Sequence, residues 1–439
     1  MDYNWVIKNI DLKKESTSWL SFDVYVTISF VCLLFQIFFS QYFRVPDLGK
    51  LFAGGGDLPG TIDGGMPSVS PIIGIHYFGD LLDGHVNYGF EGSYYGISAL
   101  VFSLTKSLSY RMVFLIFVIF AVVLCTLSLR RWLKIIASDQ KKMVYALHFS
   151  YPFVFAADRG QVQLLVGYLF ALGLSYIADA QSGEKVSARG QLALGTALSI
   201  KIYPIPIFAS LPNFWSLVKW KFLASSILAG FLVVALFDFD KLLQFVNVGD
   251  PTSLYFSQNF FIGSMPHNTS LKALIFNFQT INFLYLDSIF NFLFTNYFLV
   301  YLLYAGIALS LAQNKEIRFN ERLLVGVVIS TSIAPIAAVY AQTLTAACAL
   351  WSLTEQQSYS AFRNRLCTTV LLLSIIPLNF PLAPGNQGYL WYFQNTVVPF
   401  AQHAFVVFIS CVSLAGFISS RKYTSTLAGT QSRGASLSK

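Results

Sequence analysis

Three charged groupings in this chain have the residue types and surroundings for chemistry on an anion. Asp158-Arg159-Gly160-Gln161 sets two opposite charges and a glycine between the apolar stretches 143–157 and 162–178. Ionisable groups at the edge of a bilayer are costly, so a functional reading is the default there. The planar fork of Arg159 can hold a phosphate through paired N–H groups, and Asp158 can orient Arg159 or a hydroxyl. A snorkelling arginine with a local partner is the plainer alternative. Ser199-Ile200-Lys201-Ile202-Tyr203-Pro204 places a lysine where an apolar run beginning at Leu192 meets a proline. A cation beside broken backbone suits an anion at the bilayer surface; interfacial anchoring explains the same lysine. His76-Tyr77-Phe78-Gly79-Asp80-Leu81-Leu82-Asp83 offers carboxylates that can take a proton from an incoming hydroxyl. A solvated loop acid is the alternative here. Two cations and a carboxylate on one membrane face imply an anionic, lipid-borne ligand and do not by themselves imply catalysis.

The elements that position these groups are membrane helices. Hydrophobic residues make up 55% of the chain, charged residues 11%, and the mean hydropathy is +0.59. Runs of about 20 apolar residues span a bilayer core, and many occur, so the sequence is that of an all-α polytopic membrane protein. The expected passes are 22–43, 110–129, 143–157, 161–178, 190–201, 203–214, 222–237, 291–312, 323–340, 341–353, 366–380 and 396–418. That gives about twelve, several of them short. Short broken segments are tolerated only where protein or a wet cavity covers them. Pro204, Pro206 and Pro212 make a bent pair of half-spans of 190–214. The span 22–43 follows a polar stretch and no small-residue cleavage site follows it, so it reads as a retained first pass.

With the N-terminus inside, Lys and Arg number 21 on the cytoplasmic side and 8 on the other. This asymmetry fixes orientation by the positive-inside rule. Both termini are cytoplasmic, and Arg159 and Lys201 face outward. The formal charge of +8 is thus a topology signal and not a nucleic-acid footprint. One transmembrane domain covers 1–423. It has two long outer loops, 44–109 with an amphipathic helix through 93–107, and 238–290. The Ser-, Thr- and Gly-rich tail 424–439 is expected to be disordered. Five cysteines lie singly in or beside apolar segments, without metal or redox spacing. His76, His85, His148, His267 and His403 form no ligand motif. No metal and no cofactor is implied.

Taken with the spacing between them, these motifs resemble glycosyltransferase family 87. Asp158-Arg159-Gly160-Gln161-Val162-Gln163-Leu164-Leu165 is similar to that family's Arg-Gly-Gln or Asn-Gly-Gln turn and Leu-rich span. Lys201-Ile202-Tyr203-Pro204 is similar to its Lys-x-x-Pro. Phe78-Gly79-Asp80-Leu81 resembles the Asp-bearing first-loop motif of GT-C enzymes, and His267-Asn268-Thr269-Ser270-Leu271 a later His-Asn-x-Ser-Leu segment. Together the motifs are scattered over residues 70–345. Where family members often carry Ser-Pro followed by His or Tyr, this chain has Ala334-Pro335 and then Tyr340. Any role a histidine fills elsewhere falls to Tyr340, a poorer proton carrier near neutral pH.

The resemblance implies a GT-C-like fold in a bacterial inner membrane, with the active site outward. It implies transfer of a hexose, mannose favoured, from a polyprenyl-phosphate sugar to a hydroxyl on a glycan or glycolipid acceptor. Asp80 is then the base, with Asp83 in reserve, and Arg159 and Lys201 hold the donor phosphate. Asp158, Gln161, Tyr203, His76, His267, Asn268 and Tyr340 are supporting residues. Two rivals remain: a twelve-span secondary transporter or lipid flippase, and a polymerase or ligase using a pyrophosphate-linked oligosaccharide. Transporters usually show related halves with sites near the midplane. This chain shows no repeat, and its charges cluster at one face.

Overall fold

The computed structural model describes residues 110–158, 163–180, 186–201, 203–211, 270–280, 286–332, 342–354, 361–375 and 389–436, with a few positions in 221–232. Among these residues every regular element is helical and none is a strand. In order they are α1 (Tyr110–Ile135), α2 (Lys141–His148), α3 (Tyr151–Asp158), α4 (Gln163–Asp179), α5 (Ala188–Ile200), α6 (Ile205–Ala209), α7 (Leu271–Thr280), α8 (Asp287–Thr295), α9 (Tyr297–Ala312), α10 (Phe319–Ser332), α11 (Thr343–Ser352), α12 (Ala361–Ile375) and α13 (Tyr389–Ser436). Helices satisfy their own backbone groups, which is what an apolar surrounding demands.

Helix α4 sits at the centre of one half, packed against α1, α3, α5 and α11. Small residues let these backbones approach closely. A Cβ on Gly173 would lie 2.5 Å from Leu194 Cγ, and one on Gly190 would lie 2.4 Å from Tyr176 Cβ. Helices α9, α10, α12 and α13 form the other half, joined to the first through α11 against α10 and α12. Buried aromatic rings with polar tips find carbonyl acceptors, as buried Trp and Tyr require. Trp132 Nε1 donates to Ala171 O at 2.9 Å. Tyr297 donates to Ser332 O at 2.9 Å, and Tyr301 donates to Ile329 O.

One described stretch, Thr396–Ser419 in α13, is long and apolar enough by itself to cross a membrane, with mean hydropathy 1.9. Asp287–Thr295 and Leu299–Ala312 reach that standard only together, and they meet at 87°. The outward-facing side chains are apolar as well. Leu299, Leu302, Leu303 and Ile307 are exposed on α9, and Phe400, Val407, Leu414 and Phe417 on α13. A contiguous apolar exterior of this kind suits hydrocarbon better than water.

Several elements differ from the sequence expectation. The pass expected over 143–157 is two helices, α2 and α3, separated at Phe149-Ser150. Pro152 lacks the N–H that would bond His148 O, and its ring would crowd that carbonyl. Ser150 Oγ instead donates to Leu147 O at 2.8 Å. Of the half-span expected over 203–214, the described residues 203–211 hold the five-residue α6, which starts behind Pro204. The pass 291–312 bends at Asn296, whose amide turns back to Phe292 O at 2.9 Å. Helix α13 runs on to Ser436, through most of the tail expected to be disordered. A nucleated helix adds residues at little cost, even where composition is polar. The expected span 22–43, the loop 44–109 and most of 222–269 lie outside the described residues.

Candidate functional site

The two glycine contacts between α4 and α5 fix their register. Gly173 faces Leu194 and Gly190 faces Tyr176, so each step along α4 is matched by a step back along α5. Carried to the end of the pair, Lys201 falls beside about residues 165–166 of α4. Gln163 therefore differs from Lys201 in height by about two to three residues, roughly 3–4.5 Å. On another side of α4, a Cβ on Gly167 would touch Phe153 of α3 and Thr343 of α11, at 2.9 and 2.8 Å. Gln163 lies one turn beyond Gly167 on nearly the same helix face. Asp158 closes α3, five residues before Gln163. The end of α3, the start of α4, the end of α5 and the start of α11 thus share one end of the bundle.

Lys201 is the best-defined of the expected site residues. Pro204 cannot continue a helix through it, because it has no N–H for Ile200 O. Helix α5 accordingly stops at Ile200, and Lys201 turns to extended backbone with φ −147° and ψ 128°. Its N–H still reaches Ala197 O at 2.9 Å. The residue is only 9% exposed, and its ammonium lies 5.5 Å from the centre of the Tyr203 ring. A cation at a helix C-terminus is favoured by the dipole, and the ring face adds a cation–π attraction. Those two effects favour a buried positive charge at this end of the bundle.

Polar side chains continue from this end into the second half. Gln402 of α13 donates through Nε2 to Ser374 Oγ at 2.8 Å and to Gln342 Oε1 at 3.2 Å. Thr345 donates to the same Gln342 oxygen at 2.5 Å. Next to this amide cluster, the His403 ring bonds Tyr304 of α9 through Nδ1 at 2.9 Å. Sequence reasoning passed over this cluster, although a Gln-His pair inside the apolar run of α13 was the signal for it. Gln163, at the start of α4, is 2% exposed, and its Nε2 has no hydrogen-bond partner among the described residues. His148 is a core residue: Nδ1 donates to Val144 O at 2.7 Å and Nε2 lies 2.9 Å from Ser128 Oγ. Lys272, in α7, stacks 4.6 Å from the Phe294 ring, and burial lowers its pKa.

The opposite end of the bundle carries paired charges. Arg131 of α1 bonds Asp179 of α4. Arg363 of α12 makes a two-pronged contact with Glu321, whose side chain is fully buried at the start of α10. Both pairs join residues that the charge count assigns to one side of the membrane.

His76, Asp80, Asp83, Arg159, Gln161, His267, Asn268 and Tyr340 lie outside the described residues. The structure thus brings Asp158, Lys201 and Tyr203 to one region of the bundle, and the expected base is not among its described residues. No three His, Cys, Asp or Glu side chains converge among the described residues as a metal site would need. Comparison with known proteins found no matching family model, no matching curated protein and no matching solved structure.

Proposed function

We propose that this chain is a GT-C-type membrane glycosyltransferase of about twelve passes, similar to glycosyltransferase family 87. It moves a hexose, mannose favoured, from a polyprenyl-phosphate donor to an acceptor hydroxyl at the outer face. The observation that carries this reading is Lys201. It is a buried cation at the bundle end where α3 stops at Asp158 and α4 starts at Gln163. A buried cation at such a position has a physical rationale when a phosphate comes to it.

In this mechanism Asp80 takes the proton of the acceptor hydroxyl as its oxygen attacks the anomeric carbon. The bond from that carbon to the phosphate oxygen breaks on the opposite face, and the anomeric centre inverts. The bonding pair leaves with the polyprenyl phosphate, whose charge Arg159 and Lys201 neutralise. Stabilising charge where it develops is the main lever such a site has. A phosphate leaving group needs little protonation, so one carboxylate serves where glycoside hydrolases use two.

The test is sugar transfer by protein purified in detergent, supplied with mannosyl- or glucosyl-phosphate polyprenol and acceptor glycolipid. Transfer in detergent is expected for an enzyme and impossible for a transporter, which needs a sealed compartment. Lys201→Ala should lower turnover by about 10²–10³, the usual weight of one preorganised charge-stabilising group. Wild-type turnover in that variant would remove Lys201 from the reading, and equal turnover in Asp80→Asn would remove the base.

A further inference from the structure

We infer that Gln402 and His403 hold a pair of neighbouring O–H groups inside the second half of the bundle, supplied by two waters or by a bound sugar. Gln402 comes six residues after Thr396, the start of the apolar stretch Thr396–Ser419, so it lies about 9 Å inside that stretch at 1.5 Å per residue. It is fully buried, and His403 beside it is 6% exposed. Each has one polar atom without a hydrogen-bond partner among the described residues, Oε1 of Gln402 and Nε2 of His403. A buried polar atom left unpaired costs free energy, and such atoms are otherwise almost always satisfied. Two of them on consecutive residues of one helix ask for a common explanation.

The bonds already made say what is missing. Ser374 Oγ donates its only proton to Val370 O at 2.7 Å. Toward Gln402 it can therefore only accept, and this fixes the amide. Nε2 faces Ser374 at 2.8 Å, with Gln342 Oε1 at 3.2 Å. Both Nε2 protons are used, and Oε1 lacks a donor. An ionised phosphate diester has no proton to give it. A hard cation needs about six oxygen ligands, whereas the Ser374 and Gln342 oxygens of this cluster already accept from Gln402 and Thr345. What fits is a neutral group with a proton to donate, and the O–H of water or an alcohol is its compact form. His403 suits the same class. Tyr304 lies on its Nδ1 at 2.9 Å, so Nε2 donates or accepts according to the tautomer, and an O–H group meets either. Positions 402 and 403 stand about 100° apart around the helix, so two adjoining O–H groups serve them better than one. Two bonded waters have that form, and so do two neighbouring hydroxyls of a sugar ring. Only the second source rests on the reading under Proposed function.

The experiment is cryo-electron microscopy of the full chain in lipid nanodiscs, at a resolution that shows ordered waters. Wild type is imaged with and without mannosyl-phosphate polyprenol, and Gln402→Met without it. Density at hydrogen-bond distance from Gln402 Oε1, about 2.5–3.0 Å, and beside His403 Nε2 supports the proposal. Separate peaks present without the lipid identify waters. Peaks that appear only with the lipid, continuous with a sugar ring, identify hydroxyls of the donor. Absence of density at either atom in both wild-type maps overturns the proposal. So does a protein donor bonded to Oε1, or a peak ringed by about six oxygens as a cation requires. Gln402→Met should lose the peak at its own position, while Ser374 keeps Val370 and Gln342 keeps Thr345. A peak that persists there overturns the role of Gln402, and the wild-type maps decide alone if that variant does not fold. Failure of sugar transfer in detergent removes the sugar source and leaves the water peaks to decide, so this inference and the proposed function fail separately.

Discussion

Gly173→Ala is the sharpest test of the geometry that sets Lys201 against the first turn of α4. The added Cβ would lie 2.5 Å from both Cγ and Cδ2 of Leu194 and 3.3 Å from its backbone nitrogen. Carbon contacts are normally 3.5–4.0 Å, so α4 and α5 must part by about 1 Å. Leu194 is fully buried and has no empty space into which to swing. Overpacking of this kind costs about 1–3 kcal/mol, offset by up to about 1 kcal/mol gained on replacing a helical glycine. The net loss of stability is therefore about 0–3 kcal/mol. The effect on function should be larger, because a displacement near 1 Å at a reacting centre costs about 10²-fold. Leu194→Ala removes the clashing atoms, so the double variant should recover about 1–3 kcal/mol relative to the sum of the single changes. The assay is a double-mutant cycle of unfolding in mixed micelles, run beside sugar transfer for the same four proteins. Additivity within about 0.5 kcal/mol, with unchanged transfer in Gly173→Ala, would refute the register and the site built on it.

At the opposite end of the bundle, two arginines should behave differently although both pair with a carboxylate. Arg363→Met strands the fully buried Glu321 carboxylate, and breaking a buried pair on one side costs about 3–5 kcal/mol. Unfolding in mixed micelles reads that loss, and a loss below about 1 kcal/mol would contradict the burial. Arg131→Ala removes the contact to Asp179, whose side chain is 46% exposed, and a cation–π contact with Tyr176 at 4.4 Å. After solvent screening the whole change should be about 1 kcal/mol or less, and the ion-pair part of it should shrink as salt is raised.

Much of the helical framework was legible because the pattern is coarse. Apolar runs of sufficient length form helices whatever their neighbours, and α1, α4, α5 and α9 begin or end within a few residues of their expected positions. Pro204 announced the end of α5, since no helix can bond through it. Pro152 carried the same information about α2 and α3, but the apolar run across it masked the break. Asn296 gave less warning: nothing in its type demands a bend, and the turn arises from how α8 packs on α7 and α9 packs on α10 and α13. The site was legible only where a charge interrupts an apolar run, as at Lys201. Gln163 is uncharged and sits within a run of mixed polarity. The burial of its Nε2 without a partner among the described residues is a property of packing that no local pattern encodes.

The two ends of the bundle explain why charge alone is a poor guide to function here. Arg131, Asp179, Glu321 and Arg363 would have ranked as high as Lys201 by charge. Each of the four faces an opposite charge, so its desolvation is offset within the protein. Lys201 is handled differently: the end of α5 and the face of the Tyr203 ring, 5.5 Å from the ammonium, favour its charge. Charge by itself ranks all five residues alike, and place in the fold separates them: under the proposed reaction the departing phosphate meets Lys201, because both ion pairs sit at the other end of the bundle.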